Sequence, residues 1–94
     1  MKIFKSIDER FEEIGFAKTS ENEYGAYYEK YHEKYGYTQV LAICHKASGN
    51  HLIQSYQKGC NAEGYNHSVG ISLYEAKLAM KKAKKMRYKT LRIK

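Results

Sequence analysis

The order of hydrophobic and polar residues along the chain changes its period twice. Near the N-terminus the apolar residues recur at helical intervals, at positions Ile3, Phe4, Ile7, Phe11 and Ile14. This spacing predicts an amphipathic helix over residues 3–14. Gly15 follows the last apolar position and can adopt the left-handed conformation that ends a helix, which places Phe16 to fold back onto the last turn.

Between residues 15 and 58 the period is two, and β-branched and aromatic residues alternate with clusters of turn-forming residues. This pattern predicts four strands, near 15–20, 25–33, 36–46 and 50–58. Because the connections between them are short, the sheet is expected to be antiparallel.

The segment 47–50, Ala-Ser-Gly-Asn, is the strongest hairpin signal in the chain. If the hairpin closes on Ser48-Gly49 or on Gly49-Asn50, it places three residues of the fourth strand on the face of Leu41 and Ile43: Leu52, Gln54 and Tyr56. We expect this face to lie beneath the helices.

A second helix is predicted from about residue 72 to residue 88, and Ser72 with Glu75 forms a capping box at its start. On a helical wheel one arc is apolar and rich in alanine: Leu73, Ala76, Ala79, Met80, Ala83 and Met86. The opposite arc carries Lys77, Lys81, Lys84 and Lys85, with Tyr74, Leu78 and Tyr88 among them. Residues 59–70, which include three glycines, are predicted to form a long loop. For residues 89–94 the sequence leaves three alternatives, a continued helix, a short strand or a flexible tail.

This order of elements predicts one α+β domain over residues 1–94, an antiparallel sheet of three or four strands with the N-terminal and C-terminal helices packed on one face. A composition of 43% hydrophobic and 29% charged residues is that of a folded chain. No apolar run approaches the roughly 20 residues of a membrane span, and the first residues do not form a secretory signal. We therefore expect a cytoplasmic protein without membrane contact.

The net charge of +7 is concentrated at the C-terminal end of the chain, since residues 77–94 hold nine of the 17 basic residues and no acidic one. Lysines at i, i+4 and i+8 without intervening acids indicate a surface for an anionic partner. The alternative is a solvated helix face, because lysine is a good helix former and complements the dipole at a helix C-terminus. The residues predicted to contact nucleic acid are Lys77, Lys81, Lys82, Lys84, Lys85, Lys89, Arg92, Tyr74 and Tyr88.

Six of the ten tyrosines lie on or beside the second and third predicted strands: Tyr24, Tyr27, Tyr28, Tyr31, Tyr35 and Tyr37. Tyrosine is favoured in strands, so cross-strand packing accounts for part of this concentration. Some of these rings must be exposed, where they can contact a protein or stack on bases. The alternative interaction surface, for a protein partner or a homodimer, is formed by Tyr27, Tyr28, Tyr31 and Tyr35.

The spacing of the residues gives little indication of a catalytic site or a metal site. The two cysteines and three of the histidines, Cys44, His45, His51, Cys60 and His67, do not form the C-x₂-C or H-x₃₋₅-H pairs of a zinc site. No nucleophile with a base and an orienting group is evident, nor is a phosphate-binding glycine motif. We therefore expect no enzyme activity, metal, cofactor or small-molecule substrate.

The order of elements, together with S-x-x-E-A-K at Ser72–Lys77, resembles the double-stranded-RNA-binding domain. In that family the residues directly after the cap are lysines that reach phosphates, whereas here they are Leu73 and Tyr74, and only Lys77 matches. The stretches DERFEEIGF and YTQVLAICHKASGNHLIQSYQK, followed by a lysine-rich helix, resemble small proteins of phages and prophages of Gram-positive bacteria. We therefore expect a non-enzymatic, phage-type accessory protein that contacts nucleic acid through its basic helix, or alternatively a protein-interaction module.

Overall fold

The computed structural model describes residues 5–45, 51–59 and 68–93, and of residues 45, 51 and 87–93 it describes the backbone alone. The elements in chain order are α1 (Ile7–Glu13), β1 (Ala17–Asn22), β2 (Gly25–His32), β3 (Tyr37–His45), β4 (His51–Gln57) and α2 (Leu73–Ile93). The strands form one antiparallel sheet in sequence order. The helices contact each other, α1 contacts β1 and α2 contacts β3. The predicted α+β fold, with both helices on one face of the sheet, is confirmed.

Helix α1 begins at Ile7. The prediction of a helix from residue 3 was therefore wrong for residues 5 and 6, which are described and are not helical. Ser6 is the N-cap and has extended backbone. Its Oγ accepts a hydrogen bond from the Glu9 backbone N–H at 3.1 Å, and its own N–H donates to Glu9 Oε1 at 3.0 Å. This capping box satisfies two backbone donors at the helix start. Ile3 and Phe4 lie outside the described residues.

The end of α1 follows the sequence prediction. Gly15 has φ +96°, and its N–H donates to the Glu12 carbonyl at 3.0 Å. The Phe16 N–H donates to the Phe11 carbonyl at 2.9 Å, and the two rings pack edge to face with centroids 5.9 Å apart. These bonds and the ring contact form a Schellman motif, which turns the chain from the helix into β1.

The register between β3 and β4 corrects the predicted faces of β4. His45 pairs with His51, so five residues connect the strands. An odd connection reverses the parity that a two-residue turn gives. Ile53 and Ser55 therefore lie opposite Ile43 and Leu41, whereas Leu52, Gln54 and Tyr56 lie opposite Cys44, Ala42 and Val40. The predicted turn 47–50 lies outside the described residues.

The hydrophobic core lies between the helices and the face of Leu41 and Ile43, as predicted. Its buried residues are Phe11, Phe16, Ala26, Tyr28, Leu41, Ile43, Leu78, Ala79, Ala83 and Met86. The Phe11 and Tyr28 rings lie 4.3 Å apart at their centroids, so α1 is anchored to β2 by aromatic packing.

The buried side of α2 is rotated from the predicted arc. Leu78 is buried, although it was predicted on the lysine side, and Leu73 and Met80 are exposed, although they were predicted in the core. The rotation brings Lys82 to the buried side, where it meets two carboxylates described below.

Helix α2 is also longer than predicted. It continues to Ile93 instead of ending near residue 88, so of the three alternatives left open for this segment, residues 89–93 continue the helix. The sequence from residue 73 onward has neither glycine nor proline to stop it. Neither described helix has the length and the hydrophobicity that a membrane crossing requires. Of the predicted loop, residues 60–67 lie outside the described residues, whereas Val69 N–H donates to the Ser55 carbonyl at 3.0 Å.

Candidate functional site

The outer side of α2 carries four exposed lysines, Lys77, Lys81, Lys84 and Lys85, which we call the lysine face. At about 100° per residue they fall within an arc of about 100°. They cover eight residue steps, or roughly 12 Å along the helix axis. The capping box predicted at the helix start is present: Ser72 N–H donates to Glu75 Oε1 at 2.9 Å, and Glu75 N–H donates to Ser72 Oγ at 3.1 Å.

The lysine face differs from the other described lysines in its lack of partners. Within the described residues, no carboxylate lies within ion-pair distance of any of its four ammonium groups. The other described lysines each have an ion pair or a ring contact: Lys5 with Glu13, Lys18 with Asp8 and Glu21, Lys58 with Glu29, Lys82 with Asp8 and Glu21, Lys30 with the Phe16 ring, and Lys34 with the Tyr35 ring. Among the described lysines, those with neither an ion pair nor a ring contact therefore all lie on this one helix face.

Lys82 was predicted to contact nucleic acid, but the structure places it inside the molecule. It is 8% exposed, and its Nζ lies 2.7 Å from Glu21 Oε1 and 3.4 Å from Asp8 Oδ1. Lys18 Nζ contacts the same two carboxylates, at 2.9 Å and 3.1 Å. Asp8, Lys18, Glu21 and Lys82 thus alternate in sign around a closed cycle, which we call the ion-pair ring. Lys82 has no free ammonium group for a phosphate.

A bulge in β1 makes the ion-pair ring possible. The pairing shifts between Lys18, opposite Tyr28, and Ser20, opposite Tyr27. The extra residue lets Lys18 and Glu21, three positions apart, point to the same side of the sheet. The Tyr28 hydroxyl adds a fifth group to the ring, because it donates to Asp8 Oδ1 at 2.6 Å. The ring thereby joins α1, β1, β2 and α2.

The surroundings of the ring set the pKa values of its members. Partial burial opposes ionisation of Asp8, but hydrogen bonds from Tyr28 and Lys18 outweigh it and hold the pKa below 3.8. Burial likewise opposes ionisation of Glu21, and the bonds from Lys82 and Lys18 hold its pKa below 4.5. Hydrogen bonds to Asp8 and Glu21 raise the pKa of Lys18. Burial and the bond to Asp8 raise the pKa of Tyr28. Asp8, Glu21 and Lys18 are therefore charged at neutral pH.

Large apolar side chains border the lysine face. Leu73 is 83% exposed, Tyr74 44% and Met80 53%. Tyr74 was predicted as a nucleic-acid contact and is accessible for that role. Three further predicted contacts, Tyr88, Lys89 and Arg92, lie on the helical backbone of α2, but their side chains are outside the described part of the chain.

The tyrosines of the predicted protein-interaction surface do not form one patch. Tyr28 belongs to the core, so its assignment to that surface was wrong. Tyr27 is half-buried on the opposite face of the sheet, with its hydroxyl 3.9 Å from the Cys44 sulfur. Tyr31 and Tyr35 are exposed at one end of β2, and Tyr24 is exposed at the other. The eight residues of β2 separate these ends by roughly 26 Å.

The face of the sheet away from the helices contains an open depression of about 450 Å³. It is lined by Thr19, Ser20, Tyr27, Glu29, Val40, Tyr56, Lys58 and Gly59. The charged groups in this lining, Glu29 and Lys58, pair with each other at 3.0 Å. Because α2 packs on the other face of the sheet, the depression and the lysine face lie on opposite sides of it.

The cysteines and histidines were weighed as metal ligands from the sequence. Within the described residues, no group of three His, Cys, Asp or Glu side chains could hold a metal ion. Cys60 and His67 lie outside the described residues, as do the side chains of His45 and His51.

The sequence contained one indication that Lys82 is buried. On a helical wheel it lies four positions from both Leu78 and Met86, which are buried in the structure. Its partners Asp8 and Glu21 come from distant parts of the chain, so spacing could not find them.

Comparison with known protein families, with curated proteins and with solved structures gave no match for this chain.

Proposed function

We propose that this protein binds nucleic acid through the lysine face of α2. The observation that carries the proposal is that four exposed lysines on one helix face have neither a carboxylate nor a ring contact within the described residues, whereas Lys5, Lys18, Lys58 and Lys82 pair with carboxylates and Lys30 and Lys34 lie over rings. Like charges at i, i+4 spacing destabilise a helix slightly, by about 0.2–0.5 kcal/mol per pair. A bound polyanion removes this repulsion.

The spacing of the lysines suits a polymer of phosphates better than a single anion. Lys77, Lys81 and Lys85 follow one another at about 6 Å along the axis, and their exposed side chains can reach separate phosphates. A compact anion would instead need several donors converging on one point. The phage-type accessory role predicted from the sequence remains part of this proposal.

The proposal predicts a steep dependence of binding on salt. Four phosphate contacts give a slope of log K against log salt of about −2.8 for single strands and −3.6 for duplex. Between 50 mM and 200 mM salt, the affinity should then fall about 50- to 150-fold.

The test compares two triple variants with the same loss of charge. Lys77→Gln/Lys81→Gln/Lys85→Gln removes three members of the lysine face, and Lys5→Gln/Lys34→Gln/Lys58→Gln removes three lysines from other surfaces. The first variant should weaken binding more than tenfold and reduce the salt slope by about 2–3, because three phosphate contacts are lost. The second should leave the slope unchanged. Equal weakening by both variants, or no wild-type binding at low salt, would contradict the proposal.

A protein-interaction function is the second candidate, supported by the exposed rings of Tyr31 and Tyr35 at one end of the β2–β3 hairpin. Exposed aromatic residues are enriched at protein interfaces. If this end mediates self-association, light scattering should show an oligomer that Tyr31→Ser/Tyr35→Ser converts to a monomer. A wild-type monomer at high concentration would exclude the homodimer.

A further inference from the structure

The exposed side of α2 is not uniformly cationic. At about 100° per residue, Leu73, Lys77, Met80 and Lys84 follow one another in a single row along the helix. Apolar and cationic side chains alternate in this row. Tyr74 lies on the other side of the face, at nearly the same angle as Lys81 and Lys85. All seven side chains are exposed.

Exposed apolar side chains among lysines favour a ligand that presents both phosphates and bases at its surface. The Tyr74 hydroxyl has no hydrogen-bond partner among the described residues, so its ring is not held in place by a polar contact. Bases of an unpaired strand stack on aromatic rings irrespective of sequence. A duplex presents phosphates and sugars at its surface and keeps its base edges within the grooves.

The position of α1 also disfavours a duplex. Lys82 contacts Asp8 at 3.4 Å, so the two helices lie side by side, and packed helices have axes roughly 8–10 Å apart. The major groove is about 12 Å wide. If α2 entered it, the neighbouring phosphates would come close to α1, where Glu12 is exposed and Glu13, also exposed, pairs with Lys5. A single strand laid along α2 avoids these carboxylates.

We propose that the ligand class is single-stranded nucleic acid, with phosphates on the lysine face and unpaired bases against Tyr74, Leu73 and Met80. This inference rests on the proposed function, since it specifies the polyanion that the same lysines bind. It assigns Tyr74 a direct contact with bases that Lys77, Lys81, Lys84 and Lys85 do not make.

The test uses three probes of about 12 nucleotides, a length within the range that small single-strand binding sites cover: oligothymidylate, an abasic strand of equal length, and a duplex. Fluorescence anisotropy is measured with wild type, Tyr74→Ala and Tyr74→Phe. Oligothymidylate should bind wild type more tightly than the duplex or the abasic strand. Tyr74→Ala should weaken oligothymidylate binding about 5- to 150-fold, the effect of losing one stacked base.

Two comparisons separate a stacking role from a merely structural one. Tyr74→Phe keeps the ring and should retain tight binding, and the abasic strand should bind Tyr74→Ala and wild type equally. Duplex binding as tight as single-strand binding, or an unchanged affinity of Tyr74→Ala for oligothymidylate, overturns this inference while lysine-dependent binding upholds the proposed function. Absence of wild-type binding to all three probes overturns both.

Discussion

Replacing Lys82 with methionine should destabilise the protein far more than the same replacement at the neighbouring Lys81. Methionine retains the length and the apolar character of the lysine stem, so little packing is lost. What is lost is one of the two cations of the ion-pair ring. Asp8 and Glu21 are then left with Lys18 as their cation, at side-chain exposures of 31% and 21%.

The expected loss of stability follows from the burial of the ring. Breaking a fully buried ion pair costs about 3–5 kcal/mol, and an exposed pair contributes about 0.2–1 kcal/mol. The Lys82 side chain is only 10% exposed, but its partners are partly solvated and keep Lys18. We therefore expect a loss of about 2 kcal/mol, intermediate between the two limits. For a domain of this size that corresponds to a fall in Tm of about 8–16 °C.

The assay is urea unfolding followed by far-ultraviolet circular dichroism, which suits a chain without tryptophan. Lys81→Met is the matched control, because Lys81 is exposed and has no partner among the described residues. It should change the free energy of unfolding by less than about 0.5 kcal/mol. The order of the two variants should be reversed for nucleic-acid affinity. Lys81→Met should weaken binding, whereas Lys82→Met, measured under conditions where it is folded, should not.

Equal stabilities of Lys82→Met and Lys81→Met would refute the reasoning, because Lys82 would then be solvated like its neighbour. A double-mutant cycle with Glu21→Gln measures the coupling directly. A coupling energy near zero would mean that the 2.7 Å contact contributes nothing to folding.

Two further predictions concern the ring and the end of α1. The unfolding free energy should fall as the pH drops below about 4.5, because the unfolded chain protonates Asp8 and Glu21 at their ordinary pKa values while the native state holds both pKa values lower. In an acid denaturation series, Lys82→Met should make this dependence of stability on pH less steep. A pH profile that the substitution leaves unchanged would contradict the prediction. Gly15→Ala should lower the free energy of unfolding by about 1–2 kcal/mol, since φ is +96° and the new Cβ would lie 3.2 Å from Lys30 Cε. Gly36→Ala, at φ +69° with open space around it, should lower it less when both variants are compared by thermal unfolding.

The fold was largely predictable because its local signals agree with one another. Period-two segments placed all four strands to within about two residues, and Gly15 with Phe16 marked the end of α1. The start of α1 was missed although its signal was present. Ser6 and Glu9 form the same capping box as Ser72 and Glu75, but the apolar residues further upstream suggested an earlier start.

Errors arose where the answer depended on contacts between distant parts of the chain. The faces of β4 depend on whether the connection before it has an even or odd number of residues, which the composition of that segment does not determine. The ion-pair ring combines residues separated by up to 74 positions. The spacing of charges along one helix therefore could not show that Lys82 belongs to the interior while Lys81 does not.

The rotation of α2 links the ring to the proposed binding face. An arrangement that maximised apolar burial would turn Leu73 and Met80 toward the sheet and leave Lys82 in solvent. The structure instead buries Leu78 and Lys82, which gives Lys82 two carboxylates and leaves Leu73 and Met80 exposed beside the lysines. The same rotation thus produces a face on which cationic and apolar side chains alternate. The pairing of Lys82 and the alternating face therefore follow from the same rotation of α2.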